Sequence, residues 1–314
     1  MRGSARALLV ATGVAASLGA LEGAYRLVDP YPYVSPCEVN DGEHGTLTEY
    51  DPELGWKGRA GRDRLVTRSA RVWVELNRLG YRDVEPEERD PSKPAIVFLG
   101  DSFAWGFEVD RDALFVNRLR RHLPEYELFN LSHRGWGTDQ ELLAFERWSE
   151  ERPLEFVILL FSPNDVDDNR SRFRYDKHKP RFAVVGGRLE LRNVPVPTDE
   201  AWRRRPRAKA DCSSVRERAK RVLFGSHLAH DLWARWQRTR RPARPQAGRS
   251  ADGLPLTERI LQELRDRVRE RGGELIVATV PSKKDVERIT PGAPYQRPIL
   301  AICSRVGVEH LDLG

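Results

Sequence analysis

The chain has 314 residues, a net charge of +6 and 39% hydrophobic content, which suits one large α/β domain with extensions. Its three cysteines, Cys37, Cys212 and Cys303, lie far apart without ligand spacing. That excludes a cysteine-ligated zinc site and a multi-bridge disulfide framework, and at most one pair can bridge.

Arg2 and Arg6 precede Ala7–Leu21, about fifteen small or apolar residues without charge. Residues 1–25 therefore read as a signal peptide or an uncleaved N-terminal membrane anchor extending through Gly23-Ala24-Tyr25. Arginines on the N-terminal side would hold that end in the cytoplasm and send the body across. Export to the cell envelope is expected, either membrane-anchored or free in the periplasmic or extracellular space. Residues 26–90 are mixed and turn-rich, opening with Pro30, Pro32 and Pro36. Within them Leu54-Gly55-Trp56 leads into a short strand, Arg71–Leu76 alternates as a strand, and Asn77-Arg78-Leu79-Gly80-Tyr81-Arg82 forms a tight loop. This segment is expected to be an N-terminal extension packed against the main domain.

The rhythm becomes strand–helix–strand in residues 91–314. Ala95–Leu99 is a continuous apolar run ending at Gly100, the pattern of a strand buried on both faces. Helical spacing follows over Ala113–Leu123, a second strand over Tyr126–Leu131, and a helix from Thr138 or Asp139 to about Glu150. Phe156–Phe161 is the third strand. Residues 166–250 break the pattern as a basic insertion. It opens with a hairpin of Arg181–Val185 and Arg188–Leu191 across Gly186-Gly187. Arg203-Arg204-Arg205, Arg216–Arg221 and Arg235–Arg249 follow, interleaved with Trp202, Trp233 and Trp236. Such a stretch reads as a solvated helical insertion, or as a surface for nucleic acid or anionic lipid. A helix over Thr257–Arg271, a strand over Leu275–Val280, a helix over Tyr295–Val306 and a fifth strand over Val308–Leu313 complete the alternation. The pattern predicts a three-layer α/β/α sandwich around a parallel, flavodoxin-like sheet of about five strands.

Ligands of open α/β sheets bind beyond the carboxyl ends of the strands, and three of those ends carry chemistry. The first is Gly100-Asp101-Ser102, where Asp101 and Ser102 are good helix caps and Ser102 is also placed as a nucleophile. The second runs from Asn130 through Ser132-His133-Arg134-Gly135-Trp136-Gly137. The third is Ser162-Pro163-Asn164-Asp165. Attack of a serine on a carbonyl builds charge on oxygen, and that charge needs fixed donors. The backbone N–H groups of Ser102 and Gly135 and the side-chain amide of Asn164 make such a set.

These three blocks resemble those of the SGNH hydrolases, the GDSL-type esterases and lipases, and the flanking patterns resemble envelope-associated bacterial members. Gly100-Asp101-Ser102 with Gly106 matches the block of the nucleophile, Asn130 and Gly135 the block of the backbone oxyanion donor, and Asn164-Asp165 the block of the side-chain donor. The resemblance implies hydrolysis of a carboxylic ester, an acyl group on an envelope lipid or glycan, through an acyl-enzyme at Ser102. Asp101 and Asp165 would be supporting residues. It implies no cofactor and no metal. The partners would be the small-molecule, glycan or lipid ester, and the membrane through the N-terminal helix if uncleaved, with no nucleic acid.

Two departures accompany it. The family's Gly-x-Asn-Asp reads Ser162-Pro163-Asn164-Asp165, and the Asp-x-x-His block that supplies the general base is not present. The sequence finishes at His310-Leu311-Asp312-Leu313-Gly314, so a shortened, C-terminally incomplete version of a longer protein is expected. Asp41-Gly42-Glu43-His44 fits the spacing but precedes the first sheet strand and reads as chance. His133 reads as a loop residue, His310 falls within the last strand, and His122, His178, His227 and His230 have no placement. The alternative expectation is a catalytically impaired SGNH-like envelope protein that binds acylated glycan. A third is a nucleic-acid or anionic-lipid binder through Arg203–Arg249.

Overall fold

A computed structural model describes residues 2–28, 33–35, 38–40, 47–67, 70–175, 177–198, 212–240, 251–281 and 296–313. Pro30, Pro32, Pro36, Cys37, Asp41–His44, Trp202, Arg203–Arg205, residues 241–250, Ser282 and Tyr295 lie outside the described residues. In chain order the elements begin with α1 (Arg2–Val28), β1 (Thr48–Asp51), β2 (Gly55–Gly58), β3 (Gly61–Val66), β4 (Arg71–Leu76), β5 (Ala95–Gly100), α2 (Ser102–Trp105) and α3 (Phe115–Leu119). They continue with β6 (Glu127–Asn130), α4 (Thr138–Arg147), β7 (Leu154–Phe161), α5 (Asp165–Arg170), β8 (Phe173–Arg174), β9 (Lys177–His178), β10 (Arg181–Val185) and β11 (Arg188–Arg192). The last are α6 (Val215–Leu223), α7 (His227–Arg240), α8 (Leu254–Glu270), β12 (Glu274–Thr279), α9 (Gln296–Val306) and β13 (Glu309–Asp312).

Five parallel strands form the central sheet in the order β6-β5-β7-β12-β13. Numbered by their sequence order within the sheet, this is 2-1-3-4-5, the flavodoxin-like arrangement. The fold is therefore an α/β sandwich with β5 beside the point where the strand order reverses. Its apolar run is buried throughout because both faces are covered. Ala95, Val97 and Leu99 pack among Leu142, Phe145, Ile260 and Ile299 from α4, α8 and α9. Ile96 and Phe98 pack on the other face with Leu114, Val116 and Leu128.

Several helices are shorter or longer than their apolar spacing suggests. The segment 113–123 is a 3₁₀ turn at Arg111–Ala113 followed by five residues of α3, since the chain already turns at Leu119, to which His122 and Leu123 donate. α4 stops at Arg147, with Trp148 extended and its ring against Phe129 and Phe145. α8 starts at Leu254, where Pro255 occupies a first-turn position that lacks no intrahelical bond.

The chain divides into two compact units. The larger holds the sheet together with residues 42–64 and 72–205. The smaller contains residues 1–41, 65–71 and 206–245, with α1, α6 and α7. In α1 the stretch Arg6–Val28 is long and apolar enough to cross a membrane by length and composition. At its end the Glu22 carboxylate accepts from the Ser226 hydroxyl at 2.7 Å and the His227 and Leu228 amides at 2.9 and 3.1 Å. These satisfy donors that the start of α7 leaves without helical partners. Cys212 is disulfide-bonded, whereas Cys303 is a free, buried thiol pushed up to about 11 by burial.

The extension is divided between the two units, and residues 42–64 and 72–90 of it belong to the larger, where they meet at backbone contact. Gly58 and Gly80 press so closely that a Cβ on Gly58 would lie 1.8 Å from the Gly80 carbonyl oxygen, and one on Gly80 2.1 Å from that of Gly58. Gly80 also has φ +87°, where side chains are strained. Just beyond, the buried Arg82 guanidinium donates to the carbonyls of Gly106 and Val109, both at 2.5 Å. The tight loop thus anchors the chain that follows Ser102. Gly80→Ala is expected to cost about 3 kcal/mol or more, read as a fall in the denaturant midpoint. A shift under about 0.5 kcal/mol would show that the contact is dispensable.

Candidate active site

β5 ends in Gly100 at φ +152°, a conformation side chains rarely adopt, and a Cβ there would lie 2.6 Å from that of Ala104. Only glycine lets the chain reverse so tightly into α2. Asp101 is the N-cap, with Oδ1 accepting from the Phe103 amide at 2.9 Å. Ser102 follows, half-buried. Among the described residues neither its hydroxyl nor its backbone N–H has a hydrogen-bond partner.

The second strand end is tied to the first along the backbone, His133 N–H donating to the Gly100 carbonyl at 3.2 Å. Gly135 adopts φ +74°, and the Tyr175 ring covers it so closely that a Cβ would lie 2.5 Å from Tyr175 Cε2. Its N–H is likewise without a partner among the described residues. The loop is held from the extension, since Trp136 Nε1 donates to the Trp56 carbonyl and Trp56 Nε1 to that of Arg134, both at 3.0 Å. Gln140 Nε2 donates to the Leu54 carbonyl at 2.7 Å. Leu54-Gly55-Trp56 is thus a clamp on the Gly135 loop.

The third end is joined to the first through Ser162. Its hydroxyl donates to Asp101 Oδ1 at 3.0 Å and its N–H to Asp165 Oδ2 at 2.7 Å. Serine where the family pattern has glycine therefore has a physical role. Asn164 occupies the N-cap position of α5 without a side-chain cap bond, and its Nδ2 donates to Asp168 Oδ2 at 2.8 Å and to Asp101 Oδ2 at 3.4 Å. Unlike the two backbone donors, this amide is engaged, and the 3.4 Å contact is the weaker of its bonds. The structure thus links Asp101 to Asn164 directly and to Asp165 through Ser162, with Ser102 and Gly135 on turns joined to the same framework.

Beneath this surface lie polar residues that hydrophobic periodicity does not reveal. The first turn of α4 (Thr138, Asp139, Gln140 and Glu141) is fully buried. Asp139 pairs with buried Lys179, which also donates to the Asp168 carbonyl at 3.1 Å. Arg174 pairs with Asp168 at 2.9 Å. Both Glu141 carboxyl oxygens, and Asp165 Oδ1, are buried without partners among the described residues. Burial raises Asp101, Glu141, Asp165 and Asp168 above the ordinary carboxyl range, neighbouring carboxylates adding to the effect. Burial pushes Asp139 up to about 6, against the pull of Lys179.

Two histidines fall in or near these elements. His133 is buried and pushed down to about 3, first by burial and then by Arg134, and stays neutral. Its Nδ1 lies 3.1 Å from the Arg134 carbonyl, and its Nε2 has no partner among the described residues. His310 sits on β13 with Nε2 3.1 Å from Thr279 Oγ1. Neither is hydrogen-bonded to Ser102.

The sequence matches no family model and no curated protein. Solved structures similar to the chain include that of TesA, at 11% identity and TM-score 0.36, covering 69% of this chain and 76% of the other. The SGNH-hydrolase family esterase AlinE4 is similar at 11% identity and TM-score 0.35, covering 71% of this chain and 77% of that one. The fold is assigned on its own strand order.

A carboxyl group held protonated by burial favours the folded state below its ordinary pKa, and that contribution is lost as pH rises through the raised value. Glu141→Gln removes one such group. As pH rises above the ordinary carboxyl pKa of about 4.3, the variant is expected to show a shallower loss of thermal stability than the parent, by up to about 1.4 kcal/mol per pH unit. Identical slopes would exclude Glu141 as a source.

Proposed function

We propose that the protein is a serine-dependent hydrolase of carboxylic esters, with Ser102 as nucleophile. The observation that carries this reading is the pair of partnerless backbone N–H groups, at Ser102 and Gly135, on turns at the ends of adjacent parallel strands. An N–H withheld from other protein groups is available to an oxyanion. Asn164 supplies the third donor by yielding its long contact to Asp101. Ser102 Oγ attacks the acyl carbon while its proton passes to solvent water. The tetrahedral oxyanion is held by the three donors and collapses to an acyl-serine, releasing the alcohol with a proton. Water then attacks the acyl-serine, frees the carboxylic acid and returns the proton to Ser102.

Asp101 and Asp165 hold the strand ends rather than touch substrate. Asp101 fixes α2 and Ser162, and Asp165 fixes the Ser162 amide. The ester is proposed to be an acyl group on an envelope glycan or lipid, because the apolar α1 supports export. No described histidine is placed as a base for Ser102. That observation favours a second reading, an exported domain that binds acylated glycan with little turnover.

Hydrolysis of p-nitrophenyl acetate by the chain and by Ser102→Ala separates the two. The esterase reading expects a rate above background that Ser102→Ala abolishes and that Asn164→Ala lowers by about 10²–10³-fold. Equal, background-level rates would overturn it and leave the binding domain. For export, alkaline phosphatase fused after Arg240 is expected to be active in a bacterial host and protected from reductant in the cytoplasm. A fusion that remains inactive and cytoplasmic would overturn export.

A further inference from the structure

The hairpin β10–β11 turns through Gly186 and Gly187, both at positive φ, and its register sets Arg181 directly opposite Arg192. Like charges at facing positions of an antiparallel pair cost stability. A third arginine, Arg172, comes from the segment before β8. All three are exposed, and with Ala183 and Asn193 they line one open depression of about 400 Å³. Glu190 pairs with Arg192, whereas the guanidinium groups of Arg172 and Arg181 have no carboxylate or hydrogen-bond partner among the described residues.

The depression is firmly built. Its two halves meet on one residue, Lys179, whose N–H donates to the Arg172 carbonyl at 3.0 Å and whose carbonyl accepts from Asn193 Nδ2 at 2.6 Å. Asn193 is itself held at φ +61°. The Lys179 ammonium meanwhile reaches Asp139, and the neighbouring turn of β8 and β9 carries Tyr175 over Gly135. One small scaffold therefore supports both the arginines and the wall of the candidate active site. The lining offers guanidinium forks and a small methyl group, with no aromatic platform. That composition suits a compact oxyanion, which guanidinium groups bind by paired hydrogen bonds.

We propose that Arg172, Arg181 and Arg192 form a subsite for a carboxylate or phosphate group carried by an acidic glycan, the chain whose ester Ser102 would cleave. The subsite accounts for a like-charge pair that the hairpin would otherwise hold at a loss. It also narrows the substrate class from acylated glycans in general to acidic ones. In this it rests on the ester-hydrolase reading, although binding itself requires no turnover.

The test is calorimetric titration of the full chain at constant low salt with three probes: an oligogalacturonate for the carboxylate, inorganic tripolyphosphate for the phosphate, and a neutral xylo-oligosaccharide. Arg181→Gln/Arg192→Gln is expected to weaken one or both anionic probes by about tenfold or more, with no heat from the neutral sugar. Whichever anion binds more tightly identifies the group. The same variant is expected to keep its melting temperature or gain, because a like-charge pair has been removed, and to hydrolyse p-nitrophenyl acetate at the parent rate. Arg172→Gln, outside the hairpin, must weaken the same probe if the three act together. Anion binding that is absent, or equal in parent and variants, would overturn the proposal, as would arginine-dependent binding seen only with phosphatidylglycerol vesicles. Arginine-dependent binding without Ser102-dependent hydrolysis would keep the subsite and discard the esterase. Ser102-dependent hydrolysis with arginine-independent binding would do the reverse.

Discussion

Five carboxyl groups (Asp101, Asp139, Glu141, Asp165 and Asp168) are buried behind the turn that presents Ser102, and Lys179 is the buried cation among them. The rest of the site depends on how these groups share protons and hydrogen bonds. Asp101 receives three donors, from Phe103, Ser162 and Asn164, and through them fixes the exit of β5 against that of β7. Leaving a buried carboxylate ionised without partners is costly. Glu141, with neither oxygen engaged, is therefore the group best suited to remain protonated. A network this tightly packed favours one geometry of the strand ends over nearby alternatives, and a set of oxyanion donors requires that kind of fixity.

The same logic extends outward to carbonyl groups. Arg82 is buried without a carboxylate partner among the described residues and spends its donors on backbone carbonyls beyond α2 and on that of Trp73, while burial brings it down to about 10. Trp56, Trp136 and Gln140 couple the extension to the Gly135 loop through carbonyl acceptors. Turns that would otherwise be mobile are thus held by side chains from distant parts of the sequence. In each case the acceptor is main chain, so the geometry depends on the fold rather than on a particular partner side chain.

Much of this could be read from the residues. Ala95–Gly100 is legible because a strand buried on both faces has no polar positions, and the alternation of strands and helices then leaves few topologies. The three strand ends stand out because Gly100, Gly135 and the Asn164-Asp165 pair break apolar runs at equivalent points. The buried half of the site is not legible. Thr138–Glu141 looks like an ordinary solvated helix start, and only the packing of α4 against α5 and α8 reveals that it is inside. Lys179 lies in a basic stretch where one buried lysine resembles its exposed neighbours. Ser162 looks like a defect in a glycine position until its hydroxyl is seen to reach Asp101. Each of these depends on contacts between residues distant in sequence, 30 apart for Asp139 and Asn169, 40 for Lys179 and Asp139, 61 for Ser162 and Asp101, which periodicity does not register.

The contact between Gly58 and Gly80 bears on how the chain can vary over evolutionary time. Pairs of touching residues usually drift together, one side chain shrinking as the other grows, and leave a covariation signal. Here each glycine is confined by the other's carbonyl, which no mutation removes. A change at one position finds no compensating change at the other. Two positions in intimate contact are thereby expected to stay fixed independently, so that methods inferring proximity from correlated substitution would be blind to the junction that seats Arg82 beneath the Ser102 turn.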